Sequence, residues 1–298
     1  MSDEKKERTN ETRDSSQNQQ KPFSPAMDKV LRERMSRIKH KIIILSGKGG
    51  VGKSTAAVNL AISLAKAGRR VGLLDVDIHG PSIPKLLNLE ELPIVATKNS
   101  ILPVKYSRAI PGQTTVELLV MSMGFLLREH DAVIWRGPLK GSAIRQFLRD
   151  VQWEVLDYLV IDSPPGTGDE PLSVCQLIEN PDGAVIVTTP QSIAVIDVKK
   201  AIGFCNTLRL PVLGVIENMS GFACPKCGEV TEIFSSGGGE KMAREMGTRF
   251  LGSIPIDPLI VQSGDSGVPS LISHPESKST QAFEKVLGTL LGVVEKNA

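Results

Sequence analysis

Aromatic residues make up only 4% of the 298 positions, and there are only four cysteines. So few aromatics leave no row of platforms on which the bases of a single strand could stack. Neither sign of charge dominates. Lys and Arg number 35 against 33 Asp and Glu, a net +2, which is too little to draw the chain onto nucleic acid by charge. No apolar run approaches the roughly 18 residues needed to span a bilayer. The N-terminus is polar and lacks the apolar core of a secretory signal. The expectation is therefore a cytoplasmic protein with no nucleic-acid and no membrane partner. Four cysteines are also too few to staple a chain of this size. In a reducing compartment, a close pair of them points to metal or redox chemistry.

What is present suits one large core or two small ones, with 41% of residues hydrophobic and 23% charged. Residues 1–23 are almost wholly polar and lack the apolar content to offset the entropy of ordering, so they read as a disordered tail. Ser24-Pro25 reads as a helix start, with serine as cap and proline at the first helical position. Met27, Val30, Leu31, Met35 and Ile38 follow at helical spacing, which predicts a short basic helix over residues 24–40. That helix either docks on the main domain or serves a partner.

Residues 41–298 read as a single domain. Apolar runs of strand length alternate with helical patterns, at Ile42–Leu45, Val71–Leu74, Val116–Val120, Tyr158–Ile161, Ala184–Val187, Val212–Ile216 and Phe250–Ile254. They lack polar alternation, so both faces are buried. The fold class is α/β, a mostly parallel twisted sheet with helices on both faces. Two stretches break the rhythm. Asn88–Thr115 reads as an irregular insertion or short antiparallel excursion, and residues 221–239 read as a loop that carries Cys224, Cys227 and Gly237-Gly238-Gly239. At the C-terminus, Phe283, Val286, Leu287, Leu290, Leu291 and Val294 share one helical face. Balanced charges on the other face predict a helix docked on the core rather than a membrane anchor.

The strongest motif is Ser46-Gly47-Lys48-Gly49-Gly50-Val51-Gly52-Lys53-Ser54-Thr55, which contains GxxxxGK[ST] between an apolar run and a helical pattern. Its glycines let backbone N–H groups face phosphate oxygens, and the helix start adds partial positive charge. Lys53 would neutralise the outer phosphates of ATP, and the Ser54 hydroxyl would ligate Mg²⁺. The expected ATP contacts are Gly47 through Thr55. Asp162, after the run Tyr158–Ile161 and before Ser163-Pro164-Pro165-Gly166, suits support of the Mg²⁺ shell. Asp75 and Asp77 follow the run Val71–Leu74. Asp77 is the expected catalytic group that orients the attacking water, while Asp75 either supports the Mg²⁺ shell or caps the next element.

Lys48 is a second lysine that a generic phosphate loop does not need. Lys48-Gly49-Gly50-Val51-Gly52-Lys53 resembles the deviant Walker A motif of the family that includes MinD, ParA and the nitrogenase iron protein. The resemblance implies that Lys48 reaches the partner's nucleotide across a homodimer interface and clamps its γ-phosphate, and that Asp77 lies in switch I.

Cys224-Pro225-Lys226-Cys227 places two thiolates at a spacing that suits one soft metal centre, but two thiols make only half a site. Cys175 and Cys205 sit in apolar helical patterns and read as buried, inert thiols. Two copies meeting at a two-fold axis would bring four thiolates together, enough to hold a bridging [4Fe–4S] cluster. A redox dithiol is the competing reading, but such pairs sit at a helix start after an early strand. Glu217-Asn218-Met219-Ser220-Gly221-Phe222, the cysteine pair, Trp135-Arg136-Gly137-Pro138 and Ser263-Gly264-Asp265-Ser266-Gly267 together resemble the Mrp/ApbC iron–sulfur cluster carriers. That resemblance implies that Asn218 contacts the adenine and that Cys224 and Cys227 hold a labile cluster. It also implies slow, switch-like ATP hydrolysis, a cluster donor, and delivery to apo iron–sulfur proteins. The alternative is a positioning or partitioning ATPase of the MinD/ParA kind, which has no use for the cysteine pair. An electron-donating iron protein draws its cluster ligands from two separate segments and fits less well.

Overall fold

Strand-forming runs and the helices between them order the chain into one sheet, seen in a computed structural model that describes residues 25–97, 100–110, 115–126, 137–224, 226–227, 229–233 and 236–296. The expected polar tail, the Ser24 cap and Trp135-Arg136 lie outside the described residues. The strands are β1 (Ile38–Leu45), β2 (Val71–Asp75), β3 (Val104–Arg108), β4 (Val116–Ser122), β5 (Leu156–Asp162), β6 (Gly183–Thr188), β7 (Val212–Ala223), β8 (Val230–Thr231) and β9 (Phe250–Ile256). The helices are α1 (Pro25–Ser36), α2 (Lys53–Lys66), α3 (Ile83–Leu86), α4 (Gly137–Asp150), α5 (Asp169–Leu177), α6 (Ser192–Thr207), α7 (Gly238–Glu245), α8 (Pro258–Ser266), α9 (Ser270–Ser273) and α10 (Lys278–Val294).

Among the described residues the strand order is β3-β4-β2-β5-β1-β6-β7-β8, with β9 also paired to β7. The ladders β1–β5, β1–β6, β2–β4, β2–β5, β6–β7 and β7–β9 are parallel, and only β3–β4 and β7–β8 are antiparallel. Two apolar clusters cover the faces of the sheet. One gathers α2, α9 and α10 around Ile42, Ile44, Leu73 and Val160. The other gathers α1, α4, α5, α6 and α7 around Ile43, Leu74, Ile161 and Ile186. Burial on both faces is what made the runs of β1, β2, β5 and β6 continuous and apolar, whereas β4 and β9 expose Glu117 and Ser253. The irregular insertion contains β3 as the expected antiparallel excursion.

Three expectations are corrected. The basic helix ends at Ser36 rather than at residue 40, because Ile38 and His40 pair with Leu156 and Tyr158 of β5. The polar residue that hid this strand start is satisfied where it lies: the His40 ring stacks on Tyr158 at 4.8 Å and bonds Asp182 at 2.8 Å. Within α1, Leu31 and Met35 enter the core, whereas Val30 is 41% exposed. The strand predicted at Val212–Ile216 continues to Ala223, so Gly221 lies in a strand and not in a loop. Its register breaks between Asn218 and Phe222, where Met219 and Gly221 take φ of 59° and 75°. The α10 face docks as expected, with Phe283, Val286, Leu287, Leu290 and Val294 buried.

Candidate functional site

β1 sits between β5 and β6, and its carboxyl end is where ligands bind in an open parallel sheet. The glycine-rich loop leaves β1 there and delivers Lys53 as the first residue of α2. Gly50 and Gly52 take φ of 77° and 83°, which turns their N–H groups inward. Gly52 has a second constraint, since a side chain at that position would strike the Asn218 amide.

Lys53 is 6% exposed, and its ammonium lies 2.6 Å from the Asp162 carboxylate and 3.7 Å from Asp77. The Ser54 hydroxyl donates to the other Asp162 oxygen at 2.5 Å. Burial drives the Asp162 carboxyl upward, while the Lys53 ammonium and the Ser54 hydroxyl oppose that shift. Asp77 has one oxygen turned toward Lys53. The other accepts the N–H groups of His79 and Gly80 at 3.2 and 3.3 Å, which fixes the side chain at the loop mouth. Lys48 is half-buried, and its side chain makes no hydrogen bond or ion pair among the described residues. The hydroxyls of Ser46 and Ser163, at the ends of β1 and β5, are buried without a partner among the described residues.

Asp75 lies beside Asp162 in the β2–β5 ladder and is fully buried. It accepts from the Ser122 hydroxyl at 2.8 Å, the Asp77 N–H at 3.1 Å and the Ile83 N–H at 3.4 Å. Of its two expected roles, this geometry fits the cap of α3. Burial first, and then the charge of Asp162, push its carboxyl up to about 8. A carboxyl that binds its proton more tightly folded than unfolded stabilises the protein below its unfolded value of 3.8, and that stability is lost as pH rises through about 8. The nucleotide-free protein is expected to lose stability across that window, by at most about 1.4 kcal/mol per pH unit from this group. Asp75→Asn cannot ionise and is expected to flatten the slope. Thermal melts from about pH 4 to 9 read it, and parallel slopes in the two proteins would refute the assignment.

The oxygens fit Mg²⁺. Ser54 and Asp162 offer a hydroxyl and a carboxylate, and no group of three or more His, Cys, Asp or Glu encloses a metal among the described residues. A cation that keeps most of its octahedron for water and substrate phosphates needs no more.

Beside the loop lies a cavity of about 520 Å³ lined by Gly52, Thr55, Asn218, Pro255, Asp257 and Ile260 among others. Asn218 donates to the Val51 carbonyl at 2.9 Å, so it joins β7 to the loop. Pro255 in β9, Asp257 between β9 and α8, and Ile260 in α8 line this cavity and were not singled out in the sequence. Glu217 was quoted in the sequence only as part of a motif, without a role; in the structure it is a fully buried carboxylate.

Cys224 follows the last residue of β7, and its N–H bonds the Glu229 carbonyl at 2.9 Å in the β7–β8 hairpin. Cys224 is half-buried and Cys227 exposed, whereas Cys205 is buried in α6 and Cys175 half-buried in α5. Burial pushes the Cys175 and Cys205 thiols up to about 12 and about 11, far from the reactive thiolate form. No disulfide joins any of the four.

The chain is 50% identical over 269 residues to the iron-sulfur cluster carrier protein of Methanocaldococcus jannaschii, covering 90% of this chain and 89% of that one. It is also 50% identical, over 242 residues, to the cytosolic Fe-S cluster assembly factor CFD1 of Chaetomium globosum, covering 78% of this chain and 80% of that one. Among solved structures, a nucleotide-binding protein of Archaeoglobus fulgidus in complex with ADP superposes with a TM-score of 0.72 at 41% identity, over 86% of this chain and 96% of that chain. The cell-division ATPase MinD of Pyrococcus furiosus superposes at 0.57 with 23% identity, over 87% of this chain and 99% of that one, a likeness of fold alone. The family described as ParA, the NUBPL iron-transfer P-loop NTPases, matches residues 37–291. The chain that carries this phosphate loop and this cysteine pair belongs to the ParA/NUBPL iron-transfer P-loop NTPase family.

Proposed function

We propose that the protein is an ATP-dependent carrier that holds a [4Fe–4S] cluster across a homodimer and delivers it to apo-proteins. The observation that carries the reading is the end of β7, where one strand bears Asn218 at the nucleotide loop and ends at the half-site of Cys224 and Cys227. The cluster is cargo. Each protomer supplies two thiolates, and two protomers supply the four that such a cluster takes. The names of its iron–sulfur relatives support the cargo, and the cytosolic assembly factor among them supports a place in the cytosol. ATP bound at Gly47–Thr55, with Mg²⁺ on Ser54 and Asp162 and with water oriented by Asp77, acts as a slow switch. The cluster arrives from a donor and leaves to an apo-protein, with no nucleic acid or membrane involved. Among the described residues, no helix is long and apolar enough to cross a membrane. A MinD-like positioning switch rests only on fold likeness at 23% identity and gives the cysteines no task.

Anaerobic reconstitution with iron and sulfide tests the reading. The expected product is a dimer with about four iron atoms. A monomer, or a dimer that retains no iron, would refute it. Lys48 is tested separately. As a clamp on the partner's γ-phosphate, Lys48→Ala should keep nucleotide affinity and lose ATP-induced dimerisation, with turnover down on the order of 10²-fold. Titration of a labelled nucleotide, with sedimentation of the same samples, reads both. A loss of affinity matching that of Lys53→Ala would make Lys48 a contact within its own loop.

A further inference from the structure

Glu217 is a charged residue in β7 between β6 and β9, 0% exposed, with no part in the nucleotide or cysteine chemistry described above. A buried carboxylate is unfavourable unless its oxygens are satisfied, and here they are. One oxygen accepts the Gly237 N–H at 3.0 Å and the Ser220 hydroxyl at 2.5 Å, and the other accepts the Gly239 N–H at 2.5 Å. Those N–H groups lie at the start of α7, where the helix presents its positive end. The three glycines there have different constraints, and Gly239 is the one set by this contact. Gly237 takes φ of 74°, and a side chain at Gly238 would meet the Pro190 carbonyl. A Cβ on Gly239 would stand 3.0 Å from the Glu217 carboxylate.

Neighbouring residues of a strand point to opposite faces. Asn218 uses one face of β7 to bond the Val51 carbonyl of the phosphate loop. Glu217, one residue earlier, uses the other face to hold the start of α7. Between these two anchors the chain runs out through the irregular Met219–Gly221 step, carries Cys224 and Cys227, and returns through β8 to Gly237. Outgoing and returning roots of the cysteine hairpin are thus tied to the same point of β7, and that point touches the nucleotide loop. A shift of β7 at Asn218 moves both roots together and carries the thiols with them. Without Glu217 the returning root would lose its polar tie to β7 and keep the apolar contacts that Met242 and Ala243 make from α7.

We propose that Glu217 is a positioning residue through which nucleotide at the phosphate loop sets the placement of the Cys224 and Cys227 thiols. For what those thiols hold, the inference rests on the carrier reading. Its test reads the thiols directly, without a cluster. Full-length, iron-free protein is alkylated with iodoacetamide, with and without a non-hydrolysable ATP analogue and Mg²⁺, and modification of Cys227 is followed by peptide mass spectrometry. Cys175 and Cys205, with thiols pushed up to about 12 and 11, contribute little background. The wild type is expected to show a several-fold change in rate with nucleotide. In Glu217→Gln the ratio should fall to one while nucleotide affinity is kept, since the amide cannot accept both helix N–H groups. Gly239→Ala, which displaces the carboxylate from the other side, should do the same. Ser220→Ala leaves both helix contacts in place and should keep the wild-type ratio. A wild type whose rate ignores nucleotide, or a Glu217→Gln protein with the wild-type ratio, overturns the inference. So does a Glu217→Gln protein that loses nucleotide affinity, because that marks a general structural role. Iron loading of the wild type is measured alongside. If no iron is retained the carrier reading fails, and the alkylation ratios still decide the role of Glu217.

Discussion

Reconstituted Cys224→Ala protein is expected to retain at least about tenfold less iron than the wild type, because loss of a direct ligand exceeds the 10-fold or greater loss seen for outer-shell partners. The reasoning starts from one chain. Among the described residues, nothing gathers three or more metal-binding side chains, so no reserve ligand stands ready near Cys224 and Cys227. Cys175 and Cys205 cannot substitute, since they lie in α5 and α6 and are held as thiols by burial. In a homodimer each substitution counts twice, leaving two thiolates for a cluster that takes four. Cys227→Ala should behave alike. The fold should survive both changes, because Cys227 is exposed and the bond from Cys224 to the Glu229 carbonyl is made by its backbone N–H. Iron per protomer, the visible absorption of the cluster and the thermal midpoint are measured together. Full iron content in Cys224→Ala with an unchanged midpoint would assign the cluster to other ligands.

Lys53→Ala is expected to abolish nucleotide turnover, with a loss on the order of 10²-fold or more, and also to destabilise the protein before any nucleotide is added. The first effect follows from removing the charge that meets the outer phosphates. The second follows from what Lys53 does in the nucleotide-free site. It is buried 2.6 Å from Asp162, which is itself fully buried beside Asp75, with Asp77 another 3.7 Å away. Removing one partner of such a pair costs roughly 3–5 kcal/mol, because the other is left as an uncompensated buried charge. Asp162 can limit the loss by taking up a proton, to which burial already disposes it. The destabilisation should therefore be smaller at pH 5 than at pH 8. Urea titrations at the two pH values read the difference. Equal losses at both would mean that the carboxylates are screened by solvent rather than held by Lys53.

The central architecture was legible in the sequence because parallel strands buried on both faces must be apolar throughout. Seven such runs became β1, β2, β4, β5, β6, β7 and β9. What was not legible were the strand ends where polar residues find partners from far along the chain. His40 reads as a break in an apolar pattern, but it is part of β1 because Asp182 and Tyr158 meet it there. β8 is two residues long and exists only as the return leg of a hairpin, so no periodicity could announce it. The antiparallel β3 is an edge strand with two of its five residues exposed, and it carries too weak a pattern to stand out from its proline-rich surroundings.

The same division runs through the site. The phosphate loop and its lysines could be read from Ser46 to Thr55, because a tight backbone cradle demands glycines at set intervals and leaves its signature in one unbroken stretch. Asp75 and Asp77 both lie at the end of one apolar run, and the sequence alone leaves Asp75 open between the Mg²⁺ shell and a cap. The fold supplies the difference in their surroundings. The ladder places Asp75 beside Asp162, out of reach of solvent, and leaves Asp77 at the loop mouth facing Lys53. Asn218 and Glu217 likewise acquire their tasks from strand alternation, which points one at Val51 and the other at α7. Chemistry confined to a local run of backbone was determined by the sequence itself. Chemistry that depends on which residues from distant segments share a face, a ladder position or a buried carboxylate was decided only by the tertiary structure, because packing, and not proximity along the chain, sets those neighbours.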